Sequence, residues 1–200
     1  DEEILKAAAT TIDEDFTEAP LTEASLRVTL AQIYNSHGWA GKARLLAERT
    51  VALRREWLGD EHPDTLNAIV LLARYLMITN NLNEADLLLC EAIKVAPRIL
   101  GVEHRITVFA TVLTGTVKLS IDDKLDEGES IVREGLEMSR RVLGGEHYIT
   151  LLASLNMGRS HHLSGRYAEA ESYFRETLET SRRIFGDNDI LTVSLLHALG

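Results

Sequence analysis

The sequence predicts an all-α fold, a solenoid built from antiparallel helix pairs. Two features indicate it: a motif that occurs four times along the chain, and small residues that recur in the same register. Of the 200 residues, 45% are hydrophobic and 26% are charged, which is the balance of an ordinary globular protein and not that of a disordered one. The period-two alternation typical of β-strands is missing from the sequence.

The repeated motif sets the period of the chain. It begins with Leu-Gly or Phe-Gly at positions 58, 100, 143 and 185 and ends with the threonines Thr65, Thr107, Thr150 and Thr192, which are 42, 43 and 42 residues apart. Two series of small residues keep this spacing: Ala31, Ala73, Gly115, Gly158 and Gly200, and Ala43, Ala85, Gly128 and Ala170. A period of this length is typical of arrays in which each repeat packs on its neighbours.

Each period divides into two helices. The two series of small residues are separated by a turn that is marked by Gly38, Asn80, Asp123 and Gly165, which tolerate left-handed backbone. In the second repeat, apolar spacing predicts helices over 66–79 and 83–100. One array over 1–200 is therefore expected, with a half-repeat helix at 1–16, repeats at 20–58, 62–100, 104–143 and 147–185, and the first helix of a truncated repeat at 189–200. Because it opens without methionine and stops within a repeat, we expect a piece of a longer protein.

The connectors between repeats carry the signals that end one helix and begin the next. Glycine follows the last leucine or phenylalanine, and the next helix then begins after His62, His104, His147 or Asp189, which we predict to be N-caps. The preceding glutamates, Glu61, Glu103 and Glu146, add negative charge at the start of a helix. Arginine pairs at 54–55, 140–141 and 182–183 fall on late turns, where cations complement the helix dipole.

These features resemble the tetratricopeptide repeat. The likeness includes a Gly-x-aromatic-x-Glu-Ala pattern at 165–170 and small residues where two helices would cross closely. The period of about 42 residues, with the Leu-Gly-x-Glu-His-Pro-x-Thr-Leu connector at 58–66, resembles the kinesin light chain type. This resemblance implies a right-handed superhelix that binds proteins in a concave groove. A weaker resemblance, carried by 12–16 and 20–27, is to the repeat region that follows the kinase domain of some bacterial serine/threonine protein kinases.

Enzyme signatures are missing from the sequence. It contains no phosphate-binding Gly-x-x-x-x-Gly-Lys loop, no Gly-x-Gly-x-x-Gly, no His-Glu-x-x-His and no Gly-x-Ser-x-Gly, so we expect neither catalysis nor a cofactor. His62, His104 and His147 recur once per repeat and are too far apart to share a metal ion. His161, His162 and His197 form a better cluster, but adjacent helical residues diverge by about 100°. Capping or packing is therefore favoured over metal binding for all of them.

The composition narrows the classes of partner. A formal net charge of −10 disfavours nucleic acid, and the apolar stretches fall short of the roughly 20 residues that span a bilayer. The single cysteine, Cys90, excludes an intrachain disulfide, and we expect a cytoplasmic protein. Terminal repeats without polar caps leave apolar helix faces exposed, which makes a homo-oligomer a further possibility.

The candidate site is a stripe on the first helix of each repeat. The resemblance implies that it lines the groove, as a mixture of apolar, amide and arginine side chains that suits an extended or helical peptide. Its members are Val28, Gln32, Asn35, Asn67, Val70, Arg74, Met77, Phe109, Val112, Thr116, Leu152, Leu155, Asn156, Arg159 and His162.

For the apolar members of this stripe, the alternative is packing against the next repeat. We predict a non-catalytic module that binds a protein or peptide as a scaffold or adaptor, with arginines that take a carboxylate. The alternatives are a regulatory or sensory segment of a larger signalling protein, such as a bacterial serine/threonine kinase, and a self-assembly module.

Overall fold

A computed structural model describes residues 2–121 and 123–200, and this part of the chain is entirely helical. Its helices are α1 (Glu2–Asp15), α2 (Pro20–Ser36), α3 (Ala40–Leu58), α4 (Pro63–Ile78), α5 (Leu82–Leu100), α6 (Arg105–Lys118), α7 (Leu125–Leu143), α8 (Tyr148–Leu163), α9 (Tyr167–Phe185) and α10 (Ile190–Leu199). The predicted all-α fold is confirmed. Two residues of the predicted array, Asp1 and Asp122, lie outside the described residues.

The helices form two compact units, one over 2–100 with α1 to α5 and one over 101–200 with α6 to α10. Within each unit, every helix packs against the next helix in the chain. In the second unit, the first helices also pack on one another, α6 on α8 and α8 on α10. Consecutive helix pairs are therefore the building block of both units.

The N-caps are those that the connectors predict. The backbone N–H of Asp64 donates to His62 Nδ1 at 3.1 Å, and the equivalent bonds to His104 and His147 measure 3.2 and 3.1 Å. In the last connector, Asp189 Oδ1 accepts from the N–H of Leu191 at 2.9 Å. A neutral imidazole nitrogen thus takes the place of the usual carboxylate or hydroxyl at the start of α4, α6 and α8.

The connector glutamates have a partner that the sequence did not indicate. Glu61 pairs with Arg98, Glu103 with Arg141 at 3.3 Å, and Glu146 with Arg183 at 2.6 Å. In each case the arginine lies near the end of the second helix that follows, 37 or 38 residues later. Besides lying near helix ends, these glutamates and arginines thus form ion pairs with one another. All these side chains are more than half exposed, so each pair stabilises the fold little.

The turn inside each repeat has the predicted left-handed backbone. The φ angles of Gly38, Asn80, Asp123 and Gly165 are 78°, 61°, 63° and 75°. Asn80 and Asp123 are the two positive-φ residues other than glycine in the described part of the chain. Both residue types adopt this conformation more readily than other non-glycine residues, which explains their presence at these two turns.

The small residues lie at close helix crossings, as predicted. A Cβ atom on Gly115 of α6 would lie 2.7 Å from the backbone nitrogen of Val132 in α7, and one on Gly128 would lie 2.8 Å from the backbone nitrogen of Leu119. Gly158 of α8 faces the ring of Phe174 in α9 in the same way. In the first unit the equivalent positions are alanines, which are fully buried. Glycine therefore lets α6 and α7 approach more closely than a methyl group would permit.

Candidate functional site

In the first unit, the predicted stripe lies on α2 and α4 and is mostly accessible. Gln32 is exposed, and partial exposure is found for Val28, Asn35, Asn67, Arg74 and Met77. Val70 is the exception, because it is buried at 1% exposure in the core of this unit. For Val70 the alternative of packing therefore applies.

In the second unit, the stripe is divided between the core and the surface. Arg159 and His162 are exposed, and Phe109 and Leu152 are partly buried. The buried members are Val112, Thr116, Leu155 and Asn156. Val112 belongs to a core cluster with Val132, Leu136 and Met157, so it too packs inside the fold. Burial therefore favours packing inside the fold over contact with a ligand for Val112, Thr116 and Asn156.

The buried Asn156 is engaged by the protein itself. Its Nδ2 donates to Thr116 Oγ1 at 2.8 Å and to the carbonyl oxygen of Leu152 at 2.9 Å. Its Oδ1 accepts from Arg159 Nη1 at 3.4 Å. The amide thus joins α8 to α6 and helps to orient Arg159, and it is not free to pair with the backbone of a peptide.

A cleft of about 520 Å³ lies between α8, α9 and α10 in the second unit. Three residues of the predicted stripe line it together, Leu155, Arg159 and His162. The remaining lining residues are Leu163, Phe174, Ser194, His197 and Ala198. Ser194 and His197 were absent from the predicted set, although they lie 42 residues after Leu152 and Leu155. Extending the same register into the last helix would have identified both.

The cleft is electropositive in a chain that is acidic overall. Arg159 forms no ion pair with a carboxylate in the described part of the chain, and the lining residues include no Asp or Glu. The residue as a whole is exposed, but surrounding protein atoms desolvate the guanidinium and lower its pKa below the ordinary arginine value. A desolvated cation without a resident counterion interacts strongly with an incoming anion.

His161 points away from this cleft. Its ring stacks on Tyr173 with the centroids 5.4 Å apart, and its Nδ1 is buried without a hydrogen-bond partner. Burial lowers the pKa of His161, and the positive charge of Arg166 acts in the same direction. His161 and His162 thus contact different rings of α9, Tyr173 and Tyr167. Among the described residues, no group of three or more His, Cys, Asp or Glu side chains is placed to hold a metal ion.

Comparison with known proteins identifies the repeat. Two family models, both described as Tetratricopeptide repeat, match the sequence: one over 24–64, the other over 115–182 and 150–200. Together these matches cover more than half of the 200 residues. The chain belongs to the tetratricopeptide repeat family. None of the curated protein sequences matches it.

Solved structures of tetratricopeptide proteins share the fold. A putative kinesin light chain of Podosopora anserina with nearly identical TPR-like repeats is 21% identical, with a TM-score of 0.67 over 92% of this chain and 86% of that chain. BtubC (BKLC) from P. vanneervenii is 18% identical, with a TM-score of 0.69 over 92% and 73%. A Rap protein complexed with competence and sporulation factor is 14% identical, with a TM-score of 0.67 over 99% and 60%. Identities this low establish the shared fold alone.

The tetratricopeptide fold is generally a scaffold for protein interaction, and its members are generally non-catalytic. None of the helices in the described ranges combines the length and the apolar character needed to cross a membrane.

Proposed function

We propose that this tetratricopeptide chain is a non-catalytic module that binds a segment of another protein, with the cleft between α8, α9 and α10 as an anchor point. The observation that carries the proposal is the composition of the cleft. Leu163 and Ala198 offer accessible apolar surface, while Arg159 offers an unpaired cation beside it. Pockets of this kind take an apolar side chain and fix its orientation through a few polar groups.

The expected ligand is a peptide segment with an acidic residue next to an apolar one. A guanidinium binds a carboxylate through two parallel hydrogen bonds, which adds geometric specificity to the charge attraction. Ser194 Oγ donates to the carbonyl oxygen of Ile190 at 2.7 Å and can still accept from an N–H of the peptide backbone.

The accessible residues of α2 and α4 form a second candidate contact surface in the first unit. Gln32 and Asn35 carry amides that can pair with a peptide backbone, and Arg74 and Met77 provide a cation and a flexible apolar side chain. Support from relatives is of a general kind, since the Rap protein of similar fold is complexed with competence and sporulation factor.

A peptide-array screen with residues 1–200 tests the proposal. We expect acidic peptides to bind the parent chain and to bind Arg159→Glu at least tenfold more weakly, because the variant places a carboxylate against the carboxylate of the ligand. Arg175→Glu is the matched control, since Arg175 is an exposed arginine of α9 that already faces Glu171. Arg74→Glu tests the first-unit surface separately. Equal loss in the Arg159 and Arg175 variants would reveal nonspecific attraction and contradict a binding role for the cleft.

A regulatory segment of a larger signalling protein is the second candidate. The resemblance of 12–16 and 20–27 to the region behind bacterial kinase domains favours it. In that case the bound segment belongs to the same polypeptide. Sequencing the gene on the 5′ side of the Asp1 codon distinguishes the two, because a kinase domain there would place the ligand in cis.

A further inference from the structure

We propose that the first unit selects its peptide by the size of one side chain, because a small pocket beside Ala47 accepts a methyl group, the side chain of alanine. This inference rests on the proposed function and names the ligand class of the contact surface on α2 and α4. The pocket, called the Ala47 pocket below, lies between α2, α3 and α4 and has a volume of about 10 Å³, enough for one water-sized group. Its lining residues are Val28, Ala31, Ala47, Thr50, Ala68, Leu71 and Tyr75.

The Ala47 pocket exists because Ala47 is smaller than its counterparts. At the equivalent position, 42 or 43 residues apart along the chain, the other repeats carry larger side chains, all buried: Leu89, Val132 and Phe174. Ala31 of α2, which lines the same pocket, is also small. Protein interiors are otherwise close-packed, so two alanines leave space that one larger side chain would fill.

The interior of the Ala47 pocket is apolar and uncharged. Thr50 and Tyr75 are the lining residues that carry a hydroxyl, and both are buried. Thr50 Oγ1 donates to the carbonyl oxygen of Leu46 at 2.8 Å, so α3 itself satisfies this donor. Burial raises the pKa of Tyr75, so its hydroxyl stays neutral. Such a lining favours a hydrocarbon group over a charged one.

The Ala47 pocket opens between α2 and α4. Val28 and Leu71 are partly exposed while the other lining residues are buried, so these two form the rim. In the second unit α6 packs on α8, but in the first unit α2 has little direct backbone contact with α4. The side chain of a peptide that lies across α2 and α4 can therefore enter, and the small volume restricts it to the smallest apolar group.

Polar groups beside the rim specify the neighbours of that side chain. Arg74 lies one turn after Leu71 on α4, and no carboxylate pairs with it in the described ranges. Gln32 lies one turn after Val28 on α2 and is exposed. Residues three or four apart share a helix face, so both polar groups flank the opening. The guanidinium suits a carboxylate and the amide suits a peptide backbone, which indicates a ligand with alanine next to Asp or Glu.

Fluorescence anisotropy with fluorescein-labelled Gly-Ser-Asp-Xaa-Asp-Ser-Gly peptides tests the Ala47 pocket, with Gly, Ala or Leu as Xaa. We expect the chain of residues 1–200 to bind the Ala peptide with a Kd about fourfold lower than that of the Gly peptide, the effect of burying one methyl group. The Leu peptide should bind about threefold more weakly than the Ala peptide, because its branched side chain overfills the pocket. Arg74→Glu should weaken all three complexes about tenfold, since it places a carboxylate against the ligand.

Two substitutions of Ala47 change the size of the pocket in opposite directions. Ala47→Val supplies the side chain that Val132 provides in repeat three, and it should abolish the preference for Ala over Gly. Ala52→Val adds the same atoms to the exposed face of α3 and is the control that should retain the preference. Ala47→Gly should widen the pocket and improve binding of the Leu peptide relative to the Ala peptide. Circular dichroism confirms that each variant is folded.

The outcomes separate the Ala47 pocket from the proposed function. The pocket is overturned if the parent binds the Ala and Gly peptides equally, if the preference survives in Ala47→Val, or if Ala47→Gly leaves the ratio of Leu to Ala binding unchanged. In each case a loss of binding in Arg74→Glu still supports the contact surface on α2 and α4. Binding that depends on Arg159 and not on Arg74 assigns the peptides to the cleft and also overturns the pocket. Failure of all three peptides to bind overturns both the pocket and the contact surface.

Discussion

Asn156 of α8 donates a hydrogen bond of 2.8 Å from its Nδ2 to Oγ1 of Thr116 in α6, a residue 40 positions earlier. Both side chains are buried, and the bond joins the first helices of two successive repeats. The same amide accepts from Arg159, so the packing of the repeats and the orientation of the candidate ligand-binding cation depend on one side chain.

Removing this bond should destabilise the second unit. We expect Thr116→Val to lower the free energy of unfolding by about 1 kcal/mol more than Thr114→Val, because one buried donor of Asn156 loses its acceptor. Thr114 is a matched control in the same helix. It is also buried and donates to the carbonyl four residues before it, at 2.8 Å against 2.7 Å for Thr116. Urea denaturation followed by circular dichroism measures the free energy of unfolding of both variants. Equal losses in Thr116→Val and Thr114→Val would contradict a stabilising role for the bond between α8 and α6.

The close approach of α6 and α7 should exclude a methyl group. We expect Gly115→Ala to lower the free energy of unfolding by about 1–3 kcal/mol, since its Cβ would lie 2.7 Å from the backbone nitrogen of Val132. Gly41→Ala in α3 is the control. A Cβ there meets nothing within 4 Å, so this change should stabilise by about 0.5–1 kcal/mol through helix propensity. In urea denaturation we expect Gly115→Ala to lower the free energy of unfolding and Gly41→Ala to raise it. If both substitutions stabilise the protein, α6 and α7 do not cross as closely as described.

Glu129 should contribute far more than the equivalent glutamate one repeat later. Its carboxylate is 14% exposed and accepts from Ser160 at 2.8 Å, from Arg133 at 2.6 Å and from Arg166. Burial raises the pKa of Glu129, but the hydrogen bonds from Arg166 and Ser160 and the charges of Arg166 and Arg133 outweigh it, so the pKa is lowered. Its contribution is therefore complete above the ordinary glutamate pKa and is lost as the pH falls through the lowered value.

We expect Glu129→Gln to cost about 1–3 kcal/mol at pH 7, because it weakens three hydrogen bonds of which two are made to cations. Glu171→Gln is the control. Glu171 lies 42 residues later and pairs with Arg175 alone on an exposed surface, so its loss should cost about 0.5 kcal/mol or less. Thermal melting of both variants tests this prediction, and Glu129→Gln should melt at a lower temperature than Glu171→Gln. Equal melting temperatures would contradict a larger contribution from Glu129.

Acid should destabilise α8, which begins at the His147 cap. Burial lowers the pKa of His147, and the charge of Arg105 acts in the same direction. The folded state therefore prefers the neutral imidazole, and its stability is complete above the unfolded-state pKa of about 6.5 and falls as the pH drops below that value. Protonation also removes the Nδ1 acceptor from the N–H of Ile149.

His147→Asp should reduce this acid sensitivity, since Asp189 caps α10 in the same position. When the pH falls from 7.5 to 5.5, we expect the free energy of unfolding to decrease in both proteins. The decrease should be smaller in the variant than in the parent, by up to about 1 kcal/mol, which is the contribution of one N-cap. His197→Gln removes a histidine of the same unit that caps no helix, and it should behave as the parent does in urea denaturation at the two pH values. A parent whose stability does not change over this range would contradict the cap mechanism.

Much of the helical framework could be predicted from the sequence, because it depends on interactions between residues that are close along the chain. The 42-residue period indicated the helix pairs, histidine and aspartate at the connectors indicated the N-caps, and Asn80 and Asp123 indicated left-handed turns. The caps and the turns act within about five residues. Gly115 also predicted a close crossing, because glycine weakens the interior of a helix and its small size lets a neighbouring helix approach.

The accessibility of the candidate site was decided by tertiary structure. Asn156, Thr116 and Val112 occupy positions that were predicted to line a groove, yet they are buried, because contacts with residues some 20 to 45 positions away determine which face of each helix is covered. Sequence periodicity places these residues on a common stripe and does not reveal how tightly the neighbouring helices close over it. The cleft around Arg159 and His197 has the same origin, since it forms only where three helices meet. The period could be read from the sequence alone, and helix ends and turn conformations were determined by short-range interactions, whereas burial and the cleft depended on the packing of one helix on another.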